Sequence, residues 1–350
     1  MLENRGTGRK RVKKNIVRSV PLALLFVMLN LFVLPGTSLA GQADLVKGKK
    51  VLIVASYHRE YKWVEDIVRT LEHELAGADL TIFYMDTKRH LELAAEKAGE
   101  AFVLYQELQP DAVITIDDNA QAYFVVPYLK DKVKTPVIFC AVNDDAAKYG
   151  FPAGNVTGVL EKKHYRESIG FAQIVAPRIK TIGVMYHPSP SNQVNLAQIE
   201  KEKDRYSADV IATVPVNSVA DVQKVLADYS AKVDAFILLN MTGIVDESNR
   251  QLEGHEVIAL ITGATDQVTI GASDWEVEAG ALCGVIKSGE EQGALAAAQL
   301  FAHWEGKPIK DIPVTWNRNG QRYINLNTMK KLQIKLRPEM VIGTKIITGN

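Results

Sequence analysis

The feature that most constrains the fold is a buried strand followed by a polar loop and an amphipathic helix, a unit that recurs along the chain. Its first copy begins with the apolar segment Val51–Ala55 and passes through a loop over residues 56–63. A helix is predicted next, because apolar residues follow at i, i+3, i+4 and i+7: Val64, Ile67, Val68 and Leu71. The unit returns at intervals of roughly 25 to 34 residues, which is typical of βα repeats.

Two series of four such units are separated by a short strand between glycines, at Gly154–Val159. A second strand-like segment at Gly280–Val285 lies after the second series. Alternation of strands and helices predicts parallel sheets covered by helices on both faces. We therefore predict an α/β protein of two doubly wound parallel-sheet lobes joined by a multi-strand hinge. The expected N-terminal lobe is 47–158 plus 280–308, and the expected C-terminal lobe is 159–279 plus 309–350.

The N-terminus has the pattern of an export signal. Seven basic residues precede or border an apolar run over Val20–Leu34, and Ser38-Leu39-Ala40 before Gly41 is typical of a cleavage site. The run is short for a membrane span, which needs about 20 residues. We predict a signal peptide over residues 1–40, cleaved after Ala40, and a periplasmic location. An uncleaved N-terminal anchor is the alternative.

Charge and cysteine content narrow the function classes. Removing residues 1–40 takes away seven of the 41 basic residues and one of the 41 acidic ones, which leaves 34 against 40 and a net charge of −6. An acidic chain is a poor match for nucleic acid, which binds basic surfaces. Cys140 and Cys283 lie in apolar, strand-like surroundings, so we expect buried free thiols in preference to a disulfide.

The loops after the predicted strands are the candidate walls of a binding site, because ligands of open parallel sheets bind outside the carboxyl ends of the strands. They are rich in hydrogen-bonding side chains, and two of them carry tryptophan. Such loops suit a cleft with aromatic walls and a few orienting polar groups. The six loops are 56–63, 117–119, 143–145, 187–192, 240–242 and 273–275.

Several of these residues also have a structural interpretation. Asp, Asn and Ser after a strand commonly cap the next helix, which applies to Asp117, Asp118, Asn143 and Ser191. Trp63 could equally anchor its helix to the sheet. We expect His58 to be a polar loop residue, since no second His or Cys stands at a spacing suited to a metal. For Glu161 and Tyr165 a solvated face is favoured over the cleft.

Catalysis has little support in the sequence. The chain has no GxSxG elbow, HExxH, P-loop or GxGxxG motif. Clustered carboxylates could in principle act as an acid–base pair, which leaves an exported hydrolase as a minor alternative. We expect a protein that is not an enzyme and has no catalytic residues, metal site or cofactor.

Several blocks of sequence resemble the ABC-transporter substrate-binding proteins of the tryptophan/tyrosine type, which have the type I periplasmic-binding-protein fold. The matching blocks include VLIVASYHREYKW, PDAVITIDDNAQA, TPVIFCAVND, GNVTGVLE, GALCGVIKSGEEQGALAAAQLFAHWEGKPIKDIPV and YINLNTMKKLQI. From the first to the last, they span nearly the whole chain after residue 40. The combination of the first loop with YMDTKR and FCAVND is similar to a branch found as extracellular sensor domains of signalling proteins.

The resemblance implies a set of ligand contacts in the loops named above: Tyr57, His58, Trp63, Asp117, Asp118, Asn143, Ser189, Asn192, Asn240 and Asp274. Two loops depart from the pattern of the tryptophan and tyrosine binders, namely Asp144-Asp145 and Asn240-Met241-Thr242. The ligand therefore need not be an aromatic amino acid.

The resemblance also implies partners. We expect a monomeric solute-binding protein that closes on a small polar or aromatic-containing ligand and delivers it to an ABC permease. No kinase or cyclase region follows in the sequence, so a free-standing protein is expected. The alternative is a ligand sensor that signals through a membrane receptor with a kinase or cyclase. No nucleic-acid partner is expected.

Overall fold

A computed structural model describes Met1 and residues 44–348, so the signal peptide expected over residues 1–40 lies, apart from Met1, outside the described residues. The strands are β1 (Lys50–Ala55), β2 (Asp79–Tyr84), β3 (Ala112–Ile116), β4 (Val137–Val142), β5 (Val156–Leu160), β6 (Thr181–Tyr186), β7 (Asp209–Pro215), β8 (Ala235–Leu239), β9 (Val268–Gly271), β10 (Cys283–Lys287), β11 (Thr315–Trp316), β12 (Gly320–Asn325) and β13 (Thr344–Ile347).

The α-helices are α1 (Lys62–Glu74), α2 (Ala94–Leu108), α3 (Asp118–Ala120), α4 (Tyr165–Val175), α5 (Pro190–Glu202), α6 (Val219–Tyr229), α7 (Gly254–Ala264), α8 (Asp274–Glu278), α9 (Gly289–Trp304), α10 (Leu326–Lys331) and α11 (Pro338–Val341). Helix α3 continues into a π-helix over Gln121–Leu129, and short 3-10 turns cover Leu91–Leu93, Ala146–Tyr149, Lys203–Arg205 and Ile309–Asp311. None of the helices in the described part of the chain is long and apolar enough to cross a bilayer.

The first sheet has six parallel strands in the order β11-β5-β4-β3-β1-β2. Its central strands are fully buried, because helices cover both faces and leave no room for the alternating polar positions of a one-sided sheet. We call this sheet and its helices lobe 1. The free thiol of Cys140 lies buried in β4, as expected from its apolar surroundings.

The second sheet has seven strands in the order β13-β12-β10-β9-β8-β6-β7 and forms lobe 2. Strands β6 to β10 run parallel, whereas β12 pairs antiparallel with β10. The sequence pattern did not predict β12 and β13. Two sheets of this kind confirm the predicted two-lobe α/β architecture. The free thiol of Cys283 is buried here, in β10.

The chain passes between the lobes three times, after β5, after β10 and after β11. Since β10 belongs to the second sheet and β11 to the first, the second and third crossings follow Lys287 and Trp316. The boundaries expected at 280 and 309 are therefore displaced along the chain. Strand-like patterning marked the crossings, but it could not tell which sheet each strand joins.

Asn317 holds the first and third crossings together. Its side-chain oxygen accepts a hydrogen bond from the Lys162 N–H at 2.7 Å, and its amide nitrogen donates to the Lys162 carbonyl at 3.0 Å. The same amide group lies 2.9 Å from Nε2 of the buried His164. One side chain thus satisfies both backbone groups of Lys162, as a neighbouring strand would.

Helix α9 follows the second crossing and packs closely on α1 through two glycines. A Cβ atom on Gly293 would lie 2.8 Å from the carbonyl oxygen of Ile67, and one on Gly289 would lie 3.0 Å from that of Trp63. The absence of side chains here permits the two backbones to approach. This contact joins a late segment of the chain to the first helix of lobe 1.

Replacing Gly293 with Ala tests this close approach. We expect Gly293→Ala to lower the free energy of unfolding by about 1–3 kcal/mol, because the added methyl group forces α1 and α9 apart. Chemical denaturation measured by circular dichroism would give the value. Gly170→Ala is the matched control: this glycine lies inside α4 with no atom within 4 Å of a new Cβ, so the change should stabilise by roughly 0.4–1 kcal/mol. Equal effects at both positions would contradict the packing described.

Candidate functional site

A cavity of about 1450 Å³ lies between the carboxyl ends of the two sheets. Its wall in lobe 1 comes from the loops after β1, β3 and β4, and its wall in lobe 2 from the loops after β8 and β9. Residues next to all three crossings, the segment after β2, the start of α5 and Lys345 also line it. The cavity therefore forms where the rule for parallel sheets places a ligand.

Seven of the residues implied by the resemblance line this cavity: Tyr57, Trp63, Asp117, Asp118, Asn143, Asn240 and Asp274. They come from five loops and from the first turn of α1, so distant parts of the sequence meet at one site.

The structure places the other three implied residues elsewhere. Asn192 is fully buried, and its amide nitrogen donates to the carbonyls of His187, Leu239 and Asn240. The Ser189 hydroxyl caps α5 by accepting from the Asn192 N–H. His58 places its Nδ1 atom 3.4 Å from a carboxylate oxygen of Asp86. The resemblance implied these three residues as ligand contacts, but their side chains hold their own loops and are not among those that line the cavity.

Asp118 lines the cavity and also joins two loops of lobe 1. Its carboxylate accepts hydrogen bonds from the Tyr149 hydroxyl at 2.8 Å and from the backbone N–H groups of Asn143 at 3.0 Å and Asp144 at 3.2 Å. The Asn143 side-chain amide donates to it as well, at 3.2 Å. With its lone pairs used in this way, Asp118 sets the position of the loop after β4 relative to the loop after β3.

Asp117 has a different environment, although it is the adjacent residue. Its side chain is 2 % exposed, and its Oδ2 atom has no hydrogen-bond partner among the described residues. Burial, followed by the charges of Glu161 and Asp118, raises the pKa of Asp117 well above its usual value. A buried carboxyl group without a partner is costly to the free protein, which makes it a candidate for a functional role.

Three aromatic rings of lobe 1 face the cavity and carry lysine ammonium groups over their faces. Lys88 Nζ lies 4.3 Å from the ring centroid of Tyr61 and 5.1 Å from that of Tyr57. Lys287 Nζ lies 3.9 Å from the Trp63 ring centroid. Both distances to Tyr61 and Trp63 are within the range of cation–π attraction. The aromatic wall is thus chemically suited to cations as well as to apolar groups.

An ion pair at the hinge links the two lobes. Lys287, the last residue of β10, pairs with Glu161, the first residue after β5. The Glu161 side chain is 3 % exposed, so the expectation that this residue lies on a solvated face is wrong. Tyr165 does not face solvent either, because it is buried in the core of lobe 2. The pair places a lobe 2 cation against the lobe 1 ring of Trp63.

Lys163 and Glu276 both hold the loop after β9 on the lobe 2 side. Lys163 donates to the Ala272 carbonyl and the Ser273 hydroxyl, each at 3.1 Å, while the Glu276 carboxylate accepts from the N–H groups of Ala272 and Ser273. Burial and the charge of Lys287 lower the pKa of Lys163 to about 8. Burial raises the pKa of Glu276 to about 7. Both groups therefore titrate close to neutral pH.

Sequence reasoning missed Lys163, Glu276 and Lys287 as cavity residues. The first two could have been sought in the segments that follow β5 and β9. Lys287 ends a strand that precedes a crossing, and no sequence pattern shows that its side chain faces the cavity. Within residues 44–348, no three His, Cys, Asp or Glu side chains come together in a way that could hold a metal ion.

Comparison with known proteins identifies the family. The family model described as ABC transporter substrate binding protein matches residues 90–345. The chain belongs to this family. A tyrosine-binding protein of Clostridioides difficile (strain R20291) is 25% identical over 212 residues, which are 57% of each chain. The chain thus aligns with little more than half the length of that relative.

Solved structures share the fold. An ABC domain in complex with L-Trp from Streptococcus pneumonia has a TM-score of 0.55 and 19% identity, and the match covers 86% of this chain and all of that one. A ligand-free, open substrate-binding protein with adhesive properties from Clostridium difficile has a TM-score of 0.68 and 17% identity over the same shares. The family and these neighbours are binding proteins, and the two-sheet fold is theirs.

The hydrogen bonds to Asp118 predict a structural role for this residue. We expect Asp118→Ala to lower the free energy of unfolding of the ligand-free protein by about 1–3 kcal/mol, because it leaves the Tyr149 hydroxyl and two N–H groups without their acceptor. Thermal and urea unfolding would measure the loss. Asp274→Ala is the control, since this exposed carboxylate accepts only from the adjacent Trp275 N–H among the described residues; it should stay within about 0.5 kcal/mol of wild type. A free energy of unfolding that is unchanged in Asp118→Ala would contradict this structural role.

Proposed function

We propose that the protein is a periplasmic solute-binding protein that binds a small polar or aromatic-containing ligand between its lobes and delivers it to an ABC permease. The observation that carries the proposal is the cavity of about 1450 Å³ whose walls come from both lobes. A ligand in this space would contact both walls at once, and its size is above the range of ordinary ligand pockets, as suits a cleft that narrows on closure.

The hinge supports a mechanism of closure. Three crossings connect the lobes, and Asn317 ties two of them with hydrogen bonds to Lys162. Rotation about such crossings preserves the packing within each lobe and changes only the distance between the walls. A ligand that touches both walls binds the closed form better than the open form, so it shifts the population toward closure.

The relatives support the ligand class in general terms. One is a tyrosine-binding protein and one was solved with L-Trp, and the present cavity presents Tyr57, Tyr61, Trp63 and Trp275. Aromatic side chains in a concave site bind flat or apolar ligand groups. These observations support an aromatic-containing ligand for this chain.

A thermal-shift screen of residues 41–350 against amino acids, amines, nucleosides, sugars and small carboxylates tests the binding function. A ligand should raise the midpoint of unfolding, and about 2.7 kcal/mol of added stability is expected at a hundredfold excess over Kd. The radius of gyration from small-angle X-ray scattering should fall when the same ligand is present. Trp63→Ala should weaken binding. A ligand that stabilises the protein without compaction would contradict closure, and silence across the panel would contradict the binding function.

Delivery to a permease and export are tested in cells. We expect the exported protein to begin at Gly41, as N-terminal mass spectrometry would show, and we expect deletion of the gene to reduce uptake of the ligand found in the screen. Restoring the wild-type chain should restore uptake. If deletion leaves uptake intact but removes a transcriptional or enzymatic response to the ligand, the protein is a sensor that acts through a membrane receptor.

A further inference from the structure

The cavity wall contains one buried charge-bearing group that the protein itself leaves unpaired. Among the described residues, the neighbouring carboxylates have partners: Asp66 with Lys62, Glu161 with Lys287, Glu276 with backbone N–H groups, and Asp118 with four donors. Asp117 lines the same cavity, is 2 % exposed, and has no partner for Oδ2 within residues 44–348. An empty cavity therefore leaves this carboxyl group unsatisfied.

The backbone of Asp117 is held in a conformation that is almost restricted to glycine. Its φ is 71° and its ψ is 171°, a combination that is strained for any L-residue. Hydrogen bonds surround it: its N–H donates to the Cys140 carbonyl at 3.0 Å, and its carbonyl accepts from the buried Gln121 side chain at 2.9 Å. Ser56 binds the Ala120 N–H at 2.8 Å and so anchors the same turn. An aspartate in this conformation is strained, and among the described residues its Oδ2 atom makes no hydrogen bond that would explain its presence.

The charge around Asp117 favours a cation over an anion. Within the described residues, eight carboxylates and five lysines line the cavity, so its field attracts positive charge. Its two half-buried lysines already have partners: Lys287 has Glu161, and Lys163 donates to the Ala272 carbonyl and the Ser273 hydroxyl. The aromatic faces of Trp63 and Tyr61 accept ammonium groups from the protein itself. A ligand carboxylate would meet no unpaired buried cation among these residues.

We propose that the cavity binds an organic amine cation with an aromatic or apolar body, and that its ammonium group pairs with the Asp117 carboxylate while its body lies against the rings of lobe 1. This inference rests on the proposed binding function and specifies its ligand. An ammonium group provides the donors that the carboxylate lacks, and the charge-assisted hydrogen bond is among the strong ones in proteins. Quaternary and primary amines also bind well to aromatic faces.

Binding of this kind is linked to a proton. Burial raises the pKa of Asp117 and so favours its protonated form in the free protein, whereas an adjacent ammonium favours the carboxylate. Amine binding therefore releases a proton to solvent, and affinity rises with pH until Asp117 ionises by itself. The other titratable groups that influence this carboxyl are Glu161, Asp118, Lys287 and Lys88, and Tyr57 and Cys140 respond to its charge.

A matched ligand series tests the proposal on residues 41–350. Isothermal titration would compare tyramine with tyrosol, 4-hydroxyphenylacetate and tyrosine, and tryptamine with indole-3-ethanol, indole-3-acetate and tryptophan. The amines should bind at least tenfold more tightly than the neutral, anionic or zwitterionic partners of the same body. Tighter binding of the alcohol or carboxylate would overturn the amine assignment and leave the binding function standing. If neither this series nor the wider panel binds, the binding function fails as well.

Two variants separate recognition from structure. Asp117→Asn keeps the shape and should weaken amine binding at least tenfold, with loss of the proton release that titration in two buffers of different ionisation enthalpy detects. Asp117→Gly should abolish amine binding while the midpoint of unfolding stays the same or rises, because glycine relieves the backbone strain. A lower midpoint with unchanged amine affinity in either variant would overturn the proposal. Affinity that falls as pH rises would also overturn it, since a protonated Asp117 would then be the binding form.

Discussion

The pairing of Asn317 with both backbone groups of Lys162 is the interaction on which the two-lobe arrangement depends. It makes the first and third crossings behave as neighbouring strands, although they are far apart in the sequence. Glu291 extends this junction, because its carboxylate accepts from the N–H groups of Arg318 and Asn319. Gln292 adds a contact to lobe 1 by accepting from the Ala141 N–H at the irregularity in β4. These polar groups of the hinge thereby find partners within the protein, which favours motions of the lobes that keep these bonds.

The same crossings bring charged groups to the site. Because β10 ends at the hinge, Lys287 reaches both Glu161 and the ring of Trp63, and a change in the angle between the lobes must alter this contact. Next to this neutralised pair lies Asp117, buried and strained, whose Oδ2 atom has no hydrogen-bond partner among the described residues. The contrast between satisfied charges and one unsatisfied carboxyl group gives the cavity its chemical character. Strain and missing partners are common where a protein has been selected for binding in place of stability.

The sequence predicted the fold well because the βα period and the buried strands are local signals. Strand β1 begins one residue before the predicted segment Val51–Ala55 and ends at the same residue. The side chains of the loops were harder to predict than the loops themselves. Tyr57 and Asp117 line the cavity, whereas Asn192, from an equally polar loop, donates hydrogen bonds to three carbonyls of its own lobe. Nothing in a sequence shows which of two adjacent aspartates will be satisfied internally. The sheet that a crossing strand joins, and hence the position of Lys287, depends on long-range pairing that periodicity does not encode.

Lobe 1 is built from two separate stretches of chain, since α9 and β11 come after strands β6 to β10 of lobe 2. During synthesis, the apolar face of α1 at Ile67 and Leu71 must wait for α9 before it is covered. An N-terminal domain usually folds first as the chain emerges, but here the first lobe cannot be completed until nearly the whole polypeptide exists. Contacts between segments so distant in sequence also slow folding. The topology itself thus postpones completion of lobe 1 until synthesis is almost finished, a delay that would suit the export proposed above.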